Sequence, residues 1–208
     1  MRTRTQRSGK IGIWSLFIYD FLPFGVIYCS TTSGQHLAIN RMCGGMGVIM
    51  EIQLVRRARS SDIPAIMELL KQVNRVHYEG RPDLFKLATK YTEDELGNII
   101  DDDNTPAFVC EDIDGKILGH GFCVFERPKN TRLLNDILTL YIDDICVDET
   151  ARGKYIGKAI YEHIIDYARH CGCYNVTLNV WSCNPGAMKF YESLGLTPYK
   201  VGMEKVLQ

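Results

Sequence analysis

Leu140-Tyr-Ile-Asp-Asp-Ile-Cys-Val147 reads as a strand that runs through Asp148-Glu-Thr-Ala-Arg-Gly-Lys-Tyr-Ile-Gly-Lys158 directly into a helix. A turn with small residues at a helix start exposes unpaired amide N–H groups beside the positive end of the helix dipole, which suits a pyrophosphate. Arg152, Lys154 and Lys158 add side-chain charge. Taken alone, the same pattern also describes an ordinary helix start, and it fits neither GxxxxGK[ST] nor GxGxxG. Asp143 and Asp144 are adjacent in the strand, so alternation sends one carboxylate to each face and only one into a given pocket. The other is then a solvated strand charge. Cys146 is a thiol in the same strand, and Tyr191 is either a core aromatic or a proton-bearing phenol. His77, His120 and His163 have no metal-ligand spacing, and no CxxC or HExxH occurs, so no metal site is expected.

The elements that position these groups follow from periodicity. Glu51 to Arg57 alternates as an opening strand, and Ser61-Asp-Ile-Pro64 starts a helix with apolar positions Ile63, Ile66, Met67, Leu70 and Val73. A loop is expected over 77–85. Thr92-Glu-Asp-Glu95 is a capping box opening a short helix to Asp102. Strands are expected over 107–111, 117–126 and 138–147, the first two joined by Asp114-Gly115, a dipeptide suited to a tight hairpin. A helix follows with Ile156, Ala159, Ile160, His163, Ile164, Tyr167 and Ala168 on its apolar face, then a strand over 175–181, a helix over 186–194 and a closing strand over 199–206.

Arg152-Gly-Lys-Tyr-Ile-Gly157 after a strand, together with Asn184-Pro-Gly-Ala-Met-Lys-Phe-Tyr-Glu-Ser-Leu-Gly-Leu196, strongly resembles the GNAT superfamily of N-acetyltransferases. The resemblance covers Ile52 to Val206 and implies an α/β (α+β) fold, a central mixed, mostly antiparallel sheet flanked by helices. It assigns residues 50–208 to an N-acetyltransferase domain. It implies acetyl-CoA as cofactor, its pyrophosphate held by Arg152, Gly153, Lys154, Tyr155, Ile156, Gly157 and Lys158, its pantetheine arm along Ile145 and Val147, and Asn184 in contact with it. Tyr155 stands where the family most often has glycine, a position where a Cβ restricts a positive φ. Tyr191 matches the family's acid that protonates the leaving thiolate, and Asp143 or Asp144, with a preference for Asp143, is the base or ammonium anchor. Tyr78, Arg81 and Phe85, beside Asp83, fall where the family builds its acceptor wall, although each also suits a structural role. Direct amine attack needs no acyl-enzyme, so Cys146 is not expected to be a nucleophile. The implied activity is acetyl transfer to a primary amine, either a small polyamine or amino-acid-like amine or a protein lysine or amino terminus. The rival is an inactive acyl-CoA-binding regulatory module.

Composition bounds these readings. With 46% hydrophobic and 24% charged residues among 208, the chain is neither disordered nor collagenous, and it suits one domain with an appendage. The net charge of −1 gives no reason to expect nucleic acid. Charge is nonetheless uneven: residues 91–149 hold 15 acidic and 4 basic side chains, which suits a cationic acceptor or simply solvated acidic loops. Most of the 8 cysteines read as buried thiols in a reducing compartment, taken as the cytoplasm. Residues 1–49 do not match the rest. Four basic residues precede the apolar stretch 11–29, which resembles a signal or membrane anchor but contains Asp20 and Pro23. The preferred reading is a non-native or disordered hydrophobic extension before a start near Met46 or Met50, with a soluble extension as the third. A membrane partner is expected only if residues 11–29 are native, and a homodimer is compatible with the sequence.

Overall fold

The computed structural model describes residues 47–129 and 131–207, with side chains from Gln53, and the strand segments Ser15–Phe17, Val26–Ser30 and His36–Gly44. These three segments (β1, β2, β3) and β4 (Gly47–Arg57) are followed by α1 (Ile63–Gly80), α2 (Glu93–Asp101), β5 (Ala107–Asp112), β6 (Ile117–Glu126) and β7 (Thr139–Val147). Helix α3 (Ile156–His170), β8 (Asn175–Leu178) and α4 (Pro185–Ser193) complete the chain. The strands form one sheet in sequence order, antiparallel throughout except for β7 and β8, which α3 connects in parallel. The mixed, mostly antiparallel sheet flanked by helices is the expected one. The rest of residues 1–46, where the extension was assigned, lies outside the described residues. Among those described, no helix is long and apolar enough to cross a membrane.

Each face of the sheet carries a core. Helix α3 buries Ile156, Ala159, Ile160 and Ile164 against Phe108, Leu140 and Ile142, while α1 and α2 bury Ile66, Leu69, Leu70, Leu96 and Ile100 against Val109, Phe122 and Cys146. Local signals act as expected at several ends. Thr92 and Glu95 exchange the reciprocal bonds of a capping box, and Asp112 Oδ1 accepts from Asp114 and Lys116 amides around Gly115 at φ 79°.

Three expectations are corrected. Residues 77–80 continue α1 rather than forming a loop; the helix ends where Pro82 forbids a helical Arg81, which takes φ −147° and ψ 71°. Strand β8 stops at Leu178 instead of 181. Residues 199–206 form no strand, because alternating side chains make a strand only where the backbone finds a partner edge. Tyr199, Val201 and Met203 stay exposed, and Glu204 pairs with Arg81 at 2.9 Å.

Candidate active site

Strands β7 and β8 pair only over Thr139–Ile142 with Asn175–Leu178. Because β7 runs on to Val147, the strands part, and among the described residues the β7 backbone beyond Ile142 has no partner strand on that side. The gap opens into a cleft of about 750 Å³, within the usual range for a small-molecule site. Ile145, Val147, Arg152, Gly153, Tyr155, Ile156, Gly157, Lys158 and Asn184 line it, as does Tyr191. Of the residues assigned to the cofactor, only Lys154 is not in the lining; its carbonyl accepts from Gln53 at 3.4 Å. Val73 and Val76 of α1, and Ala187, Phe190 and Leu194 around α4, complete much of the apolar wall.

One end of the cleft is the amino terminus of α3, whose first amides have no acceptor within the helix and point to where an anion would sit. The turn into it needs two left-handed residues, Gly153 at φ 80° and Tyr155 at φ 62°, the latter the one non-glycine residue with positive φ among the described residues. A Cβ on Gly157 would lie 3.3 Å from the Phe190 ring and 3.4 Å from Val147, so glycine lets α3 and α4 close around the cleft. Asn184 caps α4, its Oδ1 accepting from the Ala187 amide at 3.1 Å.

Tyr191 projects from α4. Burial, reinforced by the negative charge of Asp144, holds its phenol above the ordinary value, so the proton stays on oxygen at neutral pH. The Cys146 thiol donates to the Leu69 carbonyl at 3.4 Å, and burial pushes it up to about 12, which leaves no thiolate for nucleophilic attack.

The expected alternation at the two aspartates is broken. Phe122 pairs with Asp144 and Cys123 with Ile142, leaving Asp143 as the extra residue of a β-bulge. Ile142 and Ile145 both pack against the α3 core, so the two residues between them share the opposite face. There Asp143 accepts from Tyr91 Oη at 2.6 Å and from Lys90 Nζ at 2.7 Å, whereas Asp144 lies 2.9 Å from His120 Nε2. Neither aspartate lines the main cleft.

Of the expected acceptor wall, Phe85 stacks on His77 with centroids 5.1 Å apart and meets the Trp181 edge at 5.0 Å. Tyr78 is half-buried in the last turn of α1. Arg81 is engaged by Asp83 at 2.8 Å and by Glu204. Sequence reasoning missed Lys90, Tyr91, His120 and Trp181. Lys90 and Tyr91 directly precede the Thr92 capping box, which was a usable signal; His120 and Trp181 are joined to the site only through long-range packing.

Residues 64–196 match the family model described as the acetyltransferase (GNAT) family. The glucosamine 6-phosphate N-acetyltransferase of Arabidopsis thaliana is 32% identical over 104 residues, covering 50% of this chain and 66% of that protein, slightly less than two thirds of its length. The protein of that name from Trypanosoma brucei brucei is 29% identical over 156 residues, covering 73% of this chain and 93% of the relative. A Bacillus halodurans protein, solved by X-ray crystallography as a tetramutant, superposes with a TM-score of 0.71 at 29% identity, covering 74% of this chain and 99% of that one. With the family model spanning more than half of its length, the chain belongs to the acetyltransferase (GNAT) family.

Proposed function

We propose that residues 50–208 form an N-acetyltransferase domain that moves the acetyl group of acetyl-CoA to a primary amine by direct attack in a ternary complex. The observation that carries this reading is the parting of β7 and β8 above the exposed amides of α3, with Tyr191 in the same cleft. The Ile145 and Val147 backbone offers the ladder groups for the amide-bearing pantetheine arm, and Arg152, Lys158 and the α3 amides offer positive charge to the pyrophosphate. Acetyl-CoA supplies an activated thioester. An alkylammonium, near pKa 10, must lose a proton before nitrogen attacks, and an acidic side chain of the β7 bulge takes it. As the new carbon–nitrogen bond forms and the carbon–sulfur bond breaks, the Tyr191 phenol gives its proton to the departing sulfur, and the second proton shed by the acylated nitrogen returns to the phenolate through solvent. The names of the relatives make a hexosamine phosphate the first acceptor to try.

The test is CoA release by the full chain across an amine panel that includes glucosamine 6-phosphate, with Tyr191→Phe in parallel. We expect amine-dependent release and a fall in kcat of at least tenfold in the variant, or about 1.4 kcal/mol of transition-state stabilisation. Acetyl-CoA affinity should stay unchanged. Tight binding without turnover on any amine would instead indicate an acyl-CoA-binding module.

A further inference from the structure

Both bulge carboxylates face the α1 and α2 side of the sheet, yet their surroundings differ. Asp143 is held by a cation and a phenol, Lys90 and Tyr91. Among the described residues Asp144 is hydrogen-bonded by His120, whose ring is fully buried and stacked on Phe122 with centroids 4.5 Å apart. Since an ionised carboxylate only accepts, His120 donates through Nε2, and a neutral ring then carries its lone pair on Nδ1. Among the described residues His120 Nδ1 is buried without a partner, which suits a bare lone pair in an apolar wall far better than an N–H. The ring is therefore a fixed donor, locked by stacking and by the strands on either side. The charge of Asp144 acts on Tyr191 of the cleft and on His77, which stacks on Phe85 at the end of α1.

We infer that Asp144 is the carboxylate that receives the amine, and that His120 is its positioning residue, donating through Nε2 to one carboxylate oxygen so that the other is aimed at the acceptor. Asp143 instead belongs to a closed cluster that holds the segment before α2 against the bulge. This assignment rests on the acetyl-transfer reading, since it names the groups that handle the acceptor.

The experiment measures kcat/KM for the acceptor and the KM for acetyl-CoA in the full chain and in His120→Leu, His120→Gln, Asp144→Asn and the His120→Leu/Asp144→Asn double variant. Leucine fills the space without a donor, whereas the glutamine amide reaches the Nε2 position and still donates. His120→Leu should lower kcat/KM for the amine at least tenfold with the acetyl-CoA KM unchanged, and His120→Gln should stay within threefold of the parent. In the double variant the loss should match that of Asp144→Asn alone, because a positioning residue has nothing left to position. Equal losses for leucine and glutamine, additive losses in the double variant, or full activity of His120→Leu in a protein that turns over would each overturn the His120 role alone. A parent protein that binds acetyl-CoA and acetylates no amine would overturn the acetyl-transfer reading, and this assignment with it.

Discussion

Tyr155 bears a conformational cost that its neighbours do not. A left-handed conformation costs an L-residue roughly 1–2 kcal/mol, because Cβ crowds the following carbonyl. At φ 62° this side chain occupies the turn where glycine would sit without strain. Glycine would relieve the crowding but give back roughly 0.5–1 kcal/mol through a freer unfolded chain. Tyr155→Gly should therefore gain up to about 1.5 kcal/mol in urea unfolding. Tyr155→Ala, which keeps Cβ and loses only the ring, should gain nothing; equal gains in both would mean that the ring rather than the backbone is strained. The position was legible in the sequence because the glycine pattern on either side of it is local. The pairing of Asp144 with His120 was not, since 24 residues and a strand turn separate them and no spacing rule joins them.

The joint between β4 and α1 is held by charge. Arg56 contacts Asp62 at 2.7 Å and Glu111 at 2.6 Å, with the Arg56 and Asp62 side chains only 10% and 7% exposed, and Asp62 also accepts from the Arg59 amide. Burial alone would raise the Asp62 carboxyl, but the bonds from Arg56 and the Arg59 amide outweigh it and hold the group below its usual range. The folded pKa is thus lower than the unfolded one, so the contribution to stability is complete above the unfolded value, near pH 4, and is lost as pH falls toward the folded value. Asp62→Asn should cost roughly 3–5 kcal/mol near neutrality, since it leaves Arg56 buried with less compensation. It should also flatten the acid side of the stability curve, measured by urea unfolding from pH 7 to pH 3. An unchanged acid slope would show that other carboxylates govern it. Element types were readable here because caps and apolar periods are local, whereas the end of α1 and the unpaired 199–206 segment depend on Pro82 and on partner edges.

Across the whole molecule, the acidic middle turns out to be mostly solvated. Glu93, Asp94, Asp101, Asp102, Asp103, Asp114 and Asp136 are exposed, and Asp143 is neutralised by Lys90. The charge asymmetry therefore overstates the pull on cations; on the proposed reading the acceptor meets one carboxylate, Asp144, which is held by His120 while Asp143 is held by Lys90. One carboxylate serves one ammonium, so a monoamine should be acetylated with a higher kcat/KM than a diamine of equal length at low ionic strength. Lys90→Ala, which frees Asp143, should shift that ratio several-fold toward the diamine; a ratio that does not move would show that Lys90 has no part in acceptor choice.

The order of elements from β4 to α4, the helix-start turn, and Arg152, Tyr155, Gly157, Lys158, Asn184 and Tyr191 as neighbours of one cleft were determined by the sequence itself, because backbone propensity, capping and short motifs act over a few residues. Only the tertiary structure decided that a bulge puts Asp143 and Asp144 on one face, and which cation, phenol or imidazole each one meets. One inserted residue in a strand reverses every later side chain, and its presence is set by pairing with a neighbouring strand rather than by the local sequence.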